Sequence, residues 1–401
     1  MVKPMRILWI LPYLPWPATS GGKTRQLHLL RMLAAADFKI TLLVQSKKPA
    51  NEATHVALAP YLERLIVLPR RSMKHPMTLL RIFFGRWPIL TCVNGFSKPL
   101  QAVFSELLSE QWDVIQIEHS YSFQPYDQLL KARQQSFILT EHNLESSLGG
   151  ATYGRFPKIF KPFVVFDQWR ARTWEKYVFA RGQRILAVTE TDADNIQRLT
   201  ATPVDVVVNG VDTASFSLVE PDFNALSVLF VGNYEYPPNG DAIGWALTEI
   251  MPLVWQTVPS ARFIVAGYAL PDEWAKRWPD QRIDWKGFVE DLPELQSQCS
   301  VFLAPLRHGG GSKLKVLEAL AAGLPLISTA QGVSGLSIEA EDAYLAGADA
   351  PQLAAQVCRV LQDSSVAQRL SISGRHYVQL NHDWSVAAQQ LIAAYQRCQE
   401  Y

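Results

Sequence analysis

Between residues 305 and 329 the chain reads PLRHGGGSKLKVLEALAAGLPLIST. An apolar strand at 300–304 runs into Gly309, Gly310 and Gly311, a helix opens at Ser312 and ends near Gly323, and a second strand follows at 324–328. Glycines let backbone amides come close to a ligand, Ser312 can cap the helix, and free amides at a positive dipole end suit a phosphate. Lys313 and Lys315 stand in the first turn, where a cation is disfavoured by roughly 0.3–1 kcal/mol unless an anion is bound. At 3.6 residues per turn Gly311, Lys315 and Glu318 share a face, so a carboxylate lies one turn beyond the amides, where a ribose hydroxyl would fall if phosphates met the loop. The plain alternative is a solvated basic turn on a core-packed crossover helix.

Two histidines follow strands, His119 in IQIEHSYSF and His142 in ILTEHNLES. A lone histidine is usually structural, but the strand ends where such folds bind ligands give both a functional reading. His142 leads, because Thr140, Glu141 and Asn143 give it polar company. Gly21-Gly22-Lys23-Thr24 sits between a strand and a helix like a P-loop, yet that motif would need a glycine where the chain has Pro17. Asp192 and Asp194, spaced like a metal-binding carboxylate pair, fall in the first turn of a helix beginning near Thr189, where acids are favoured in any case. No His and Cys cluster suggests a transition metal, so no metal and no cofactor are expected.

These residues need a scaffold, and 401 residues with 48% apolar content exceed what one core usually supports, so two domains are expected. Thirteen apolar runs read as strands alternating with helices: 6–11, 40–44, 65–68, 114–117, 137–140, 185–188 and 204–208, then 227–231, 262–266, 283–286, 300–304, 324–328 and 343–346. That pattern argues an α/β fold of two tandem Rossmann-like doubly wound parallel-sheet domains facing a cleft, with ligand at the carboxyl ends of the strands. The domains are set at 1–210 and 211–382, with a linker over 209–225 rich in small polar residues. A terminal helix at 383–401 either crosses back to the first domain or caps the second.

Charge separates the halves: residues 1–216 carry 26 Lys+Arg against 17 Asp+Glu (+9), and 217–401 carry 12 against 20 (−8). Four scattered cysteines imply reduced thiols of a cytoplasmic protein. The apolar N-terminus imitates a signal peptide, but its prolines break the run, and no stretch approaches the ~20 apolar residues a membrane helix requires. Residues 70–90 and 156–181 interleave Lys and Arg with Phe and Trp, as interfacial segments do. They suit either an anionic membrane surface or ordinary helices with aromatics inward; nucleic acid is not expected as a partner.

Over nearly the whole chain, SGGKTRQLHLL, TEHNLES, AVTETDADNI, VVVNGVDTASF, LFVGNYEYPPNGDAIGW, WKGFVEDLPEL and GGGSKLKVLEALAAGLPLIST resemble, in order and spacing, the retaining GT-B glycosyltransferases of the "group 1" family. The resemblance implies metal-free transfer of a sugar from a nucleotide-sugar to an acceptor, with retention. It implies that Gly21 and Gly22 approach the diphosphate or donor sugar, that His142 contacts that sugar, and that Glu318, as second Glu of a Glu-x7-Glu pattern, holds the ribose. Asn233 in the 231–236 loop and Gly287 and Val289 in the next turn would lie near phosphates and base, with His119 also on the donor side.

The chain departs from the pattern at two points. Gly310 stands where the first Glu would be, and the basic pair after the FVG strand is replaced by Asn233 and a Tyr-Pro-Pro-Asn run. The expectation is that Lys313 and Lys315 take over the phosphates while amides of residues 309–311 meet sugar hydroxyls. The reading is a transferase acting on a lipid-linked or polysaccharide acceptor in surface glycan assembly, either free in the cytoplasm or peripheral on the inner membrane face. Its rivals are a nucleotide-sugar epimerase on the same fold and a catalytically degenerate nucleotide-sugar-binding relative.

Overall fold

The computed structural model of the protein describes residues 4–147, 159, 161–310 and 313–399. It divides into two compact units, Met1–Val208 with Ala387–Tyr401, and Asn209–Val386.

In the first unit β1 (Arg6–Leu11), β2 (Lys39–Ser46), β3 (Arg64–Pro69), β4 (Val114–Glu118), β5 (Ile138–Glu141), β6 (Arg184–Ala187) and β7 (Val204–Val206) form one sheet in the order β3-β2-β1-β4-β5-β6-β7. Every pairing is parallel. Parallel strands are covered on both faces, which is why RILWIL reads as an unbroken apolar run and buries all but its first residue. Helix α1 (Gly21–Ala35) follows β1, α2 (Pro76–Phe84) lies between β3 and β4, and α3 (Lys161–Phe179) precedes β6.

The second unit repeats the plan with β8 (Ser227–Val231), β9 (Arg262–Ala266), β10 (Ile283–Gly287), β11 (Val301–Ala304), β12 (Leu326–Ser328) and β13 (Tyr344–Ala346), ordered β10-β9-β8-β11-β12-β13 and parallel throughout. Successive side chains point to opposite faces: Val228, Phe230, Val301 and Leu303 enter one core, Leu229, Phe302 and Ala304 the other. Helix α4 (Pro237–Trp245) follows β8 and α5 (Leu314–Ala321) follows β11.

Two local expectations are corrected. Helix α5 does not open at Ser312; its N-cap is Lys313, in extended conformation, so only Lys315 is in the first turn. The helix ends as glycine dictates: Gly323 takes φ +76°, and the Leu324 amide donates to the Ala319 carbonyl. The stretch 209–225 is no free linker, because Val211, Phe216 and Val219 are buried in the second unit's core. Helix α6 (Trp384–Gln399) ends in the first unit, where Tyr395 donates to the Gln116 side chain and Gln183 donates to the Cys398 carbonyl at 2.8 Å.

Candidate active site

In each unit the first strand lies between strands reached in opposite directions, which opens a crevice at the carboxyl ends of the neighbours: β1 and β4 in the first unit, β8 and β11 in the second. The chemistry-bearing residues gather at those two places.

In the second unit Lys315 leaves the first turn of α5 and crosses to the other side of its crevice. Its ammonium sits 4.4 Å over the Phe230 ring of β8 and donates to Asn239 Oδ1 of α4 at 2.5 Å. Lys313 is buried and donates to the Gly310 carbonyl at 3.0 Å. The Gly310 amide in turn donates to the Tyr236 hydroxyl at 3.2 Å. Burial first, then Lys313, brings the Lys315 ammonium down to about 7, while Glu318 opposes the shift. Burial pushes Glu318 up to about 6, against the pull of Lys315. Asn233 spends its side chain within its own loop, accepting from the Glu235 amide at 2.9 Å, and its carbonyl accepts from Asn239 Nδ2 at 2.7 Å.

Gly287 takes φ +61° with open space where a side chain would be, and its carbonyl accepts from the Gly267 amide at 2.6 Å. Val289, expected near the ligand, is half-buried against the second core. Gly311 and Ser312 lie outside the described residues.

In the first unit Gly21 opens α1, and Gly22 follows against the side chains of the crevice. A Cβ on Gly22 would lie 2.5 Å from the Tyr13 hydroxyl and 3.2 Å from His142 Nδ1. The other nitrogen of His142, Nε2, is 2.8 Å from Glu118 Oε2, and Glu118 Oε1 accepts from Trp9 Nε1 at 2.9 Å and Gln116 Nε2 at 2.8 Å. An ionised carboxylate only accepts, so the shared proton is on Nε2 and the Nδ1 lone pair faces Gly22. Burial raises the Glu118 carboxyl, but the His142 hydrogen bond and the nearby imidazoles outweigh it and hold Glu118 down near 2. His119, with φ +64°, lies 4.4 Å from the His142 ring and stacks on Tyr121 at 4.7 Å. Burial lowers both imidazoles to about 4.

Glu118, His119 and His142 offer ligand-type atoms within 4.8 Å of one another, a cluster the sequence reading did not find. The Glu118–His142 separation of 2.8 Å is a hydrogen-bond length; two zinc ligands at tetrahedral angles would stand about 3.4 Å apart. Glu118 was missed because the apolar run ends at Ile117, whereas the strand itself runs on to Glu118, and only adjacency to His119 marked it. Asp192 is accounted for locally, as the Thr189 hydroxyl accepts from its amide at 3.0 Å in a helix N-cap.

Near the histidines, burial lifts Glu141 and Glu145 to about 8 and Glu175 to about 7. Each holds its proton in the folded chain to pH 7–8 but would lose it near 4.5 when unfolded, so stability falls as pH rises through that window. The two imidazoles act oppositely, but only between about 4 and 6.5. Of the groups around the histidines only these carboxyls still titrate above pH 6.5, and hydrogen exchange of the β4 and β5 amides is expected to quicken from pH 6.5 to 8.5, after correction for intrinsic rates. Glu175→Gln is expected to flatten that dependence.

Two Rossmann-like units in tandem, each with polar groups at its crevice, make up the GT-B fold. Residues 225–363 match the family described as "Glycosyl transferases group 1" and residues 19–215 match "Glycosyltransferase Family 4". Each unit thus matches a glycosyltransferase family model, the second unit that of group 1.

It is 22% identical over 379 residues to an uncharacterized 44.6 kDa protein in the cps region of Klebsiella pneumoniae, covering 92% of this chain and 94% of that one. It is 24% identical over 402 residues to a glycogen synthase of Mycobacterium tuberculosis, covering 96% and 92%. Among solved structures it is similar to Anabaena HepE in complex with UDP and glucose, with a TM-score of 0.66 at 13% identity over 98% of this chain and all of that one.

Proposed function

We propose that the protein transfers a hexosyl group from a nucleoside-diphosphate sugar to a lipid-linked or polysaccharide acceptor in surface glycan assembly, with retention and without a metal ion. The observation that carries the donor half is Lys315: its ammonium spans the β8–β11 crevice to the helix after β8, the side from which the expected basic pair is missing. A diphosphate leaving group is a spreading negative charge, and a cation fixed before reaction costs no reorganisation. Lys313 is the second cation, Glu318 one turn on takes the ribose, and Gly287 and Asn233 border the base and phosphates. In the first unit His142, fixed by Glu118, is assigned to sugar hydroxyls with Gly21, Gly22 and His119 around it. The UDP bound by HepE and the cps-region relative support a nucleotide donor and a glycan product; retention is what the family likeness implies.

Incubation with UDP-, GDP- and ADP-sugars in the presence of EDTA is the test. Slow release of free sugar with no acceptor present is expected. Formation of an epimer, or binding of a donor with no turnover even when acceptors are supplied, would replace this reading with one of its rivals.

A membrane-facing role for the first unit rests on α2 and α3. Phe84 is 84% exposed and Trp169 62%, with Phe83, Leu80, Val165 and Phe166 exposed beside them and Arg71, Arg81, Arg86 and Arg172 nearby in sequence. The two helices are tied together: buried Arg170 pairs with Asp167 at 2.5 Å and donates to the carbonyls of Ile82 and Gly85 at 2.8 and 3.0 Å. Contiguous exposed apolar surface with cations at its edge suits an anionic bilayer. No helix among the described residues is long and apolar enough to cross a membrane. Flotation with phosphatidylglycerol vesicles is expected at low salt and lost in Phe83→Ser/Phe84→Ser; equal flotation of wild type and variant would remove this part of the reading.

A further inference from the structure

Beside the exposed face of α2 and α3 lies a cavity of about 320 Å³ that neither the donor crevice nor the histidine cluster uses. One wall is built by α3, whose residues Trp169, Thr173 and Tyr177 recur every fourth position and so share a face. Trp174 stacks on Tyr177 at 5.4 Å with their planes 26° apart, and Trp87 closes another side. Aromatic residues thus border the cavity on several sides. Trp169 keeps most of its surface in water, a cost unless something covers it.

The polar groups complete the pattern. Gln124, Gln128 and Asp127 also line the cavity. Gln124 accepts the Phe96 amide through Oε1 at 3.1 Å, which leaves its NH₂ group to donate. Asp127 pairs with Arg181 at 2.8 Å and accepts from the Tyr177 hydroxyl at 2.8 Å; of the two arginines on the lining, Arg170 is committed to Asp167 at 2.5 Å and Arg86 lies 4.9 Å over the Trp87 ring. An acyl chain would leave the Gln124 NH₂ group facing hydrocarbon with no acceptor, which disfavours it. A phosphate would meet Arg86 but also the Asp127 carboxylate and mostly aromatic walls that offer it no hydrogen bond. A neutral ring with one C–H face and a rim of hydroxyls satisfies both kinds of wall, and the volume is at the small end of ligand pockets, suited to one such ring.

We propose that this cavity binds a pyranose ring of the acceptor glycan, stacked on Trp169 and Tyr177 with its hydroxyls toward Gln124, Gln128 and Asp127. The proposal rests on the acceptor reading above and makes it specific. The saccharide part of a lipid-linked acceptor sits in the cavity, while its lipid is kept at the apolar face that shares Trp169.

Saturation-transfer NMR on the full-length protein tests this with methyl pyranosides of glucose, galactose and mannose, and with octyl β-glucoside. Transfer to ring C–H protons is expected, with affinity reduced roughly threefold to tenfold by Trp169→Ala and by Gln128→Ala, both changes at exposed side chains that the fold does not need. No transfer to any of the four probes, transfer unaltered by both substitutions, or transfer confined to the octyl chain would each overturn the assignment. Nucleoside-diphosphate binding measured on the same samples separates the outcomes. If nucleotide binds and pyranosides do not, only the cavity assignment falls; if pyranosides bind as described and no nucleotide does, the transferase reading falls and the saccharide site stands.

Discussion

Lys315→Ala lowers kcat/KM for donor turnover by roughly ten- to 150-fold, the equivalent of about 1.5–3 kcal/mol for one charge-assisted phosphate contact. The fold tolerates the change, because removing the ammonium relieves a buried cation, Asn239 Oδ1 needs one new donor, and Glu318, already raised by burial, is more readily protonated. The same residue gives the site a pH signature. Burial brings the free Lys315 ammonium down to about 7, and a bound diphosphate raises it again. Nucleotide binding therefore takes up a proton near neutrality, and affinity weakens as the pH rises above 7. Calorimetry in two buffers of different ionisation enthalpy measures that uptake; Lys315→Ala abolishes it. Turnover unchanged in the variant would remove Lys315 from the donor site.

Gly267→Ala unfolds the second unit. Gly267 follows β9 with φ +135°, and a Cβ there would overlap the Gly232 carbonyl at the end of β8. Both contacting groups are backbone, so no side chain can swing aside, and the Gly267 amide is already committed to the Gly287 carbonyl. Relief requires β8 and β9 to part, at more than about 4 kcal/mol. In urea the second unit's amides are expected to lose protection well before those of the first. A variant within about 1 kcal/mol of wild type would show that the strands do not approach this closely.

The strands were legible because doubly covered parallel strands leave apolar runs that no other element imitates at that length; RILWIL and SVLFV are found at the residues expected. Helix α5 was legible in its body, where Val316, Leu317, Ala319 and Leu320 are buried, but not at its start. A glycine run followed by Ser suggests a cap at Ser312, whereas the cap is Lys313, in extended conformation, held by its bonds to the Gly310 carbonyl and the distant Ser334 hydroxyl. The lysines were read as an anion site from local charge alone. That Lys315 would find Asn239 and the Phe230 face, 76 and 85 positions back along the chain, depends on three successive crossovers between β8 and β11, and no local pattern encodes it. His119 and His142 were placed at strand ends, but their meeting with Glu118 comes from the parallel register of β4 against β5, in which Glu118 faces Thr140. The left-handed backbone of His119 is likewise invisible from composition, since histidine adopts it only when its surroundings impose it.

Hydrogen exchange of the whole protein with and without saturating UDP, GDP or ADP tests the central claim most directly. One of these nucleotides is expected to slow exchange at the start of α5, from Leu314 to Glu318, and in the loop from Gly232 to Asn239, with the protection at both places reduced by Lys315→Ala. Protection by every bound nucleotide confined to Gly21–Ala35 in the first unit, or an unchanged pattern with all three, would contradict it.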